Sequence, residues 1–174
     1  PGTFIAPKNL KAFIADIPEQ VLVVLDEAYT EYLSEADRYN AFDWVAEHPN
    51  LLVSRSFSKA YGLAGLRIGF GVAKPAITDL LNRVRQPFNV NSLAQAAASA
   101  ALFDDAFLQE SRRVNDEGMA FLNKAMQEFG LQTIPSKGNF VLVKIGNAPD
   151  AGMAMFKALL ARGVITRPVA NYEL

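Results

Sequence analysis

Apolar positions in this chain switch between a helical period and short unbroken runs. Over residues 7–17, Leu10, Phe13, Ile14 and Ile17 recur at helical spacing behind Pro7, a residue suited to a first helical turn. Residues 21–25 are instead a continuous aliphatic run closed by Asp26-Glu27, which reads as a strand buried on both faces and so as part of a parallel sheet. A helix over residues 39–47 leads through His48-Pro49-Asn50 into a second aliphatic run, residues 51–54, and this strand-helix-strand order makes a crossover unit. A third strand is predicted over residues 67–72 after a glycine-punctuated loop. Helices follow over residues 75–85, 93–103 and 105–129, the last stopped by Gly130. Then the pattern changes, with short strands over residues 131–134, 140–145 and 164–167 around one helix over residues 151–162. The prediction is an α/β domain, a mainly parallel sheet with flanking helices, followed by the start of a smaller α+β domain.

Composition narrows the chemistry. Of the 174 residues 51% are hydrophobic and 20% charged, the balance of a chain that folds around a core. A formal net charge of −1 supplies no global field to attract nucleic acid or an anionic membrane, so neither partner is expected. With no cysteine and a single histidine, His48, the chain offers no disulfide, no thiolate site and no histidine cage, and no metal is predicted. No apolar run reaches the length of a membrane span, and Pro1-Gly2-Thr3-Phe4 lacks the charged and apolar regions of a leader, which suggests a cytoplasmic location. The chain starts without methionine and stops at Asn171-Tyr172-Glu173-Leu174, just after the last predicted strand, which points to a piece of a longer protein.

In open α/β sheets ligands bind beyond the carboxyl ends of the strands. Two clusters lie there: Asp26-Glu27-Ala28-Tyr29, and Ser54-Arg55-Ser56-Phe57-Ser58-Lys59 followed by Ala60-Tyr61-Gly62-Leu63-Ala64-Gly65-Leu66-Arg67. The set suits a pyridine aldehyde phosphate. A lysine amine condenses with the aldehyde, a buried carboxylate such as Asp26 pairs with a protonated ring nitrogen, a phenol such as Tyr29 reaches the ring oxygen, and hydroxyls with Arg67 hold the phosphate. Taken singly, each member has an ordinary structural reading: Asp26 as a loop carboxylate, Lys59 as a solvated lysine, the serines as turn residues, the glycines as a common loop. The strand ending in Asp26-Glu27 also fits the magnesium-holding strand of a P-loop ATPase, although no G-x-x-x-x-G-K-[ST] occurs in the chain. A third reading is a folding or dimer-forming module that binds no cofactor.

The order Asp26-Glu27-Ala28-Tyr29 and, about thirty residues later, Ser56-Phe57-Ser58-Lys59-Ala60-Tyr61-Gly62-Leu63-Ala64-Gly65-Leu66-Arg67-Ile68-Gly69 resembles the fold-type I aminotransferases. Within them it looks like the histidinol-phosphate aminotransferase group, of whose usual length the chain covers about half. The resemblance implies a pyridoxal 5'-phosphate enzyme of histidine biosynthesis that moves an amino group between a small-molecule amino donor and a 2-oxo acid, here histidinol phosphate and 2-oxoglutarate. Aromatic or other amino-acid aminotransferases and decarboxylases of the same fold are the alternatives. It implies that Lys59 is the Schiff-base lysine and the catalytic base, that Asp26 pairs with the pyridine nitrogen and Tyr29 with the 3-oxygen, and that Ser56, Ser58 and Arg67 line the phosphate site. Arg167, in Gly163-Val164-Ile165-Thr166-Arg167-Pro168-Val169-Ala170-Asn171-Tyr172, would help to hold the substrate's phosphate. The loop Gln86-Pro87-Phe88-Asn89-Val90-Asn91-Ser92, and Asn139-Phe140, would approach the second subunit of a homodimer with a shared active site. By the same resemblance residues 1–103 are the C-terminal part of the large cofactor-binding domain, 104–129 a bridging helix and 130–174 an incomplete small domain. The family's Asn-Pro-x-Gly turn corresponds here to Pro1-Gly2 alone, and Glu173 replaces the glycine usual after Asn-Tyr.

Overall fold

A computed structural model describes residues 3–169. Helix α1 (Pro7–Asp16) opens with proline in its first turn and points Ile14 inward. Strand β1 (Val23–Asp26), helix α2 (Ala41–Glu47), and strands β2 (Leu51–Ser56) and β3 (Gly69–Ala73) build a three-stranded sheet in the order β1-β2-β3. Asn40 starts α2 by accepting a hydrogen bond from the Phe42 N–H at 3.3 Å. β1 and β2 run parallel through this crossover, Val23 opposite Leu51 and Asp26 opposite Ser54, whereas β3 runs antiparallel to β2 with Ser56 opposite Gly69. The α/β class holds, but the sheet is mixed rather than mainly parallel. Residues 57–68 hold only turns and one 3₁₀ turn (Ala64–Leu66), with no helix to carry the chain back to the start of the sheet, so it returns beside β2 in the opposite sense.

Side-chain alternation decides what each strand buries. The core joins Ile14 of α1 and Ala41, Trp44 and Val45 of α2 to Leu51 and Val53 of β2, with Val23, Leu25 and Val72 packed against it. Burying each large aliphatic side chain there stabilises the fold by roughly 1.5–3 kcal/mol. Both covering helices lie on the same side of the sheet. The opposite face is open, leaving Val24 56% exposed and Asp26 exposed. The run 21–25, expected to be buried on both faces, is instead half-buried on one, at Val23 and Leu25, and Asp26 is not the buried carboxylate that the sequence suggested.

Helices α3 (Pro75–Val84), α4 (Ser92–Ala101) and α5 (Asp105–Glu128) follow, α4 and α5 capped by the side chains of Asn91 and Asp104. The chain leaves α5 at Gly130, whose φ of +69° lets the N–H groups of Gly130 and Leu131 turn back to the carbonyls of Gln127 and Met126. A two-stranded antiparallel sheet, β4 (Gln132–Ile134) with β5 (Leu142–Lys144), pairs Thr133 with Val143, and α6 (Ala151–Leu160) comes last. Residues 164–167, predicted as a strand, form none. Among the described residues β4 and β5 pair only with each other, and Ile165 is 82% exposed. Pro1-Gly2 and Asn171-Tyr172-Glu173 lie outside the described residues. Among those described, no helix is long and apolar enough to cross a membrane, and no group of His, Asp and Glu side chains could hold a metal ion.

Candidate active site

The open face of the sheet becomes polar at its C-terminal end. Because alternate residues share a face, Asp26 of β1, Ser54 and Ser56 of β2 and Gly69 and Gly71 of β3 all lie on it. They lead into a cleft of about 370 Å³ whose lining includes Asp26, Ser54, Ser56, Ser58, Arg67 and Gly69. Gly69 is required by close approach, since a Cβ there would stand 2.7 Å from the backbone oxygen of Arg55. The cleft floor thus carries no side chain at that point, leaving room for a flat ligand.

Asp26, Ser54, Ser56 and Arg67 are already oriented in the cleft. Asp26 Oδ1 accepts the Ala28 N–H at 3.1 Å and lies 3.5 Å from the Ser54 hydroxyl, which leaves Oδ2 for another donor. Ser56 Oγ accepts the Ser58 N–H at 3.0 Å, so its own hydroxyl proton is free to be donated outward. Arg67 sits at the end of the 3₁₀ turn with φ of 53°, a left-handed conformation costly for a side chain of its size and typical of residues fixed by a site. One of its nitrogens, Nη1, donates to the Ala64 carbonyl at 2.9 Å, and the remaining guanidinium donors are available to an anion. Arg67 was expected to open β3. The left-handed turn delays the strand to Gly69.

Lys59 lies in the turn after β2 and is exposed. It does not line the cleft. Its Nζ stands 5.3 Å from the centroid of the Tyr29 ring, and Tyr29 meets Phe140 edge-on with ring centroids 5.4 Å apart. Tyr29 thereby links the lysine to the loop before β5. Arg167 is exposed beyond α6 and is not brought to the cleft.

Behind the cleft, on the covered side of the sheet, lies a set of charged groups that the sequence reading assigned no role. Arg55 Nε and Nη2 both reach Glu27 Oε2, at 2.9 and 2.8 Å, and the guanidinium lies 4.2 Å over the Phe42 ring. Glu31 is buried too, and burial pushes its carboxyl up from the ordinary glutamate value. Burial raises Tyr39 and Tyr61 likewise, Tyr39 further through the Glu27 carboxylate that it faces. Glu27 Oε1 is buried without a hydrogen-bond partner among the described residues. Arg112 of α5 donates to the Glu31 carbonyl and so ties the long helix to the segment after Tyr29. The signal in the sequence was alternation: Glu27 follows Asp26, and Arg55 stands between Ser54 and Ser56, so both must face away from the cleft. In a P-loop ATPase the glutamate after the magnesium-holding aspartate polarises water, and Glu27, buried and paired with Arg55, is not free to do so.

The sequence profile described as aminotransferase class I and II matches residues 1–174. Histidinol-phosphate aminotransferase 1 of Cupriavidus pinatubonensis is 59% identical over 173 residues, 99% of this chain and 46% of the relative. Histidinol-phosphate aminotransferase 2 of Ralstonia nicotianae is 57% identical over the same shares. Among solved structures, histidinol-phosphate aminotransferase from Sinorhizobium meliloti in complex with pyridoxal-5'-phosphate superposes with a TM-score of 0.89 at 32% identity, covering 95% of this chain and 45% of that one. The chain spans about half the length of the curated relatives it matches.

Proposed function

The chain belongs to the class I and II aminotransferases, and we propose that it forms the lysine-bearing part of a pyridoxal-phosphate site in an enzyme that transfers the amino group of histidinol phosphate to 2-oxoglutarate. The observation that carries this reading is the open sheet face, where a carboxylate, two serine hydroxyls and a left-handed arginine converge on a floor kept bare by Gly69. The names of the relatives supply the amino donor, histidinol phosphate, and the resemblance of the motif supplies the 2-oxo acid. In this reading residues 1–103 belong to the large domain, 104–129 form the bridging helix and 130–174 begin the small domain. The enzyme is a cytoplasmic homodimer of histidine biosynthesis.

When bound, pyridoxal phosphate supplies an aldehyde that condenses with amines and a protonated ring that draws electrons from the substrate α-carbon. The chain's own residues do the rest. Asp26 Oδ2 accepts the ring N–H and keeps that nitrogen charged. The Tyr29 hydroxyl donates to the ring oxygen, and Ser56, Ser58 and Arg67 hold the phosphate by charge-assisted hydrogen bonds. Lys59 would supply the amine that holds the aldehyde, with water as the group lost, and the base that moves the proton at the substrate α-carbon. Arg167, which lies away from the cleft, would have to approach it to meet the substrate's phosphate. Gln86-Pro87-Phe88-Asn89-Val90-Asn91-Ser92 and Asn139-Phe140 reach towards the second subunit.

The test is to add pyridoxal phosphate to the chain, reduce with borohydride and map the labelled peptide. A reducible visible band with the label on Lys59, lost in Lys59→Ala, is the expected result. Label elsewhere, or none, would overturn the site. Histidinol phosphate should discharge the band at lower concentration than aromatic amino acids, and carbon dioxide release from an amino acid would point to a decarboxylase instead.

A further inference from the structure

The Glu27–Arg55 pair lies on the reverse side of the strands that carry the candidate cofactor residues, and we infer that it is a positioning pair that fixes the distance between Asp26 and Ser56 across the cleft. This rests on the cofactor reading above and goes beyond it, because the two side chains pair with each other on the reverse face, although Arg55 also borders the cleft.

The sheet explains why such a device is needed here. The ladder between β1 and β2 ends with Asp26 opposite Ser54, and the last main-chain bond is Glu27 N–H to the Ser54 carbonyl at 2.9 Å. β1 then leaves the sheet while β2 continues to Ser56. The ladder sets Asp26 opposite Ser54 and Ser56 opposite Gly69, but among the described residues no rung joins β1 to β2 beyond Ser54, so the departing end of β1 is held there by its side chains. The side chains one step along do so from behind: Glu27 on the departing strand and Arg55 on the continuing one meet at 2.8 and 2.9 Å. Aromatic rings fix the arginine in turn. Phe42 lies under its guanidinium, and Phe70, opposite Arg55 in the β2–β3 register, packs on both Phe42 and Phe57 with centroids 6.0 and 5.8 Å away.

Stability alone does not account for the pair. The Glu27 side chain is 1% exposed and that of Arg55 21%, and desolvating two such charges costs about as much as their attraction returns, so a well-packed apolar replacement is often neutral. What the ion pair adds is geometry: both arginine nitrogens converge on one oxygen over a ring, and this admits few alternatives.

The experiment uses Arg55→Lys, which keeps the charge but loses the planar fork, and the double variant Glu27→Leu with Arg55→Met, which removes the pair without leaving a lone buried charge. Amide hydrogen exchange on the chain without cofactor reads the strand ends directly. Exchange at Glu27, Ala28 and Ser56 should rise about tenfold in both variants while Leu25 and Val53 stay protected, and the affinity for pyridoxal phosphate should fall by a similar factor, as supporting residues around polar sites commonly show. The double variant should do so with a melting temperature close to the parent's. If it exchanges and binds cofactor as the parent does, the pair is packing only and the inference is overturned. Should the parent itself fail to label at Lys59, the cofactor reading falls, while exchange at the strand ends still decides whether the pair positions them.

Discussion

Lys59 Nζ stands 5.3 Å above the ring of Tyr29, and the same ring takes Phe140 against its other contacts at 5.4 Å. A single aromatic side chain therefore touches both the amine that would carry the cofactor and the loop that precedes β5. Tyr29→Phe keeps the ring and both contacts and removes only the hydroxyl. The fold should be unaffected, while the affinity for pyridoxal phosphate falls roughly ten- to a hundredfold, the value of a hydrogen bond to a charged group. Titration of the visible band checks this, and an unchanged affinity would remove Tyr29 from the cofactor's contacts.

The two parallel strands make opposite predictions on the two sides of the sheet. Leu51 is fully buried among α2 residues, so Leu51→Ala should destabilise the chain by about 2–5 kcal/mol through the lost contacts and the cavity left behind. Val24, 56% exposed on the open face, should tolerate threonine with a change of about 0.5 kcal/mol or less. Urea denaturation of both variants checks the contrast.

That contrast also marks how far the sequence could be read. The aliphatic run at residues 21–25 revealed a strand, and the Asp26 to Arg67 motif revealed the cleft, because both are written in local order. Burial is not local. Val24 has the same chemistry as Val23 and differs only in lying on the side that α1 and α2 leave uncovered. The direction of β3 depended on the absence of a helix between β2 and Gly69, and the expected strand at residues 164–167 finds no pairing partner among the described residues. Pairing is a property of the whole sheet. Glu27 and Arg55 were legible as facing away from the cleft, but their meeting there was not, since it depends on the β1–β2 register.

Gly69→Ala should damage the site and the sheet together. The new Cβ would stand 2.7 Å from the Arg55 carbonyl oxygen, a main-chain atom that cannot swing aside, so the end of the β2–β3 ladder must shift. A cost of about 1–3 kcal/mol is expected, together with weaker cofactor binding. Alanine at Gly65, which has nothing within 4 Å of the added Cβ, is the control expected to leave the fold intact.

Glu31 gives a pH signature. Burial, the largest influence on it, raises its carboxyl above the ordinary value, so between the unfolded and folded values the native state holds more protons than the unfolded chain. Its contribution to stability is then greatest in acid and is lost as pH rises through that window. Glu31→Gln, neutral at every pH, should be at least as stable as the parent at neutral pH, and the two should converge below the ordinary glutamate value near 4.5. Denaturation midpoints measured across pH check this; a variant that is less stable at neutral pH would show that the charged form of Glu31 is needed.

Phe88 is the residue whose local cost argues for a partner. It holds φ of 57° with its side chain 97% exposed, so it carries backbone strain and gains no burial in return. The surrounding loop is not slack: Arg85 bonds the side chains of both Asn82 and Asn89, at 2.8 and 3.0 Å, and Asn91 caps α4. A fixed loop that presents a bare aromatic ring suits insertion into a second subunit, where such a ring is worth the most. Phe88→Gly separates the two roles. Glycine adopts positive φ without strain, roughly offsetting its own entropic cost of about 0.5–1 kcal/mol, so the melting temperature should stay within a few degrees of the parent's. Self-association, followed by sedimentation at several concentrations, should weaken at least tenfold. If association were unchanged, the ring would not be an anchor between subunits, and the strained loop would need another explanation in the chain itself.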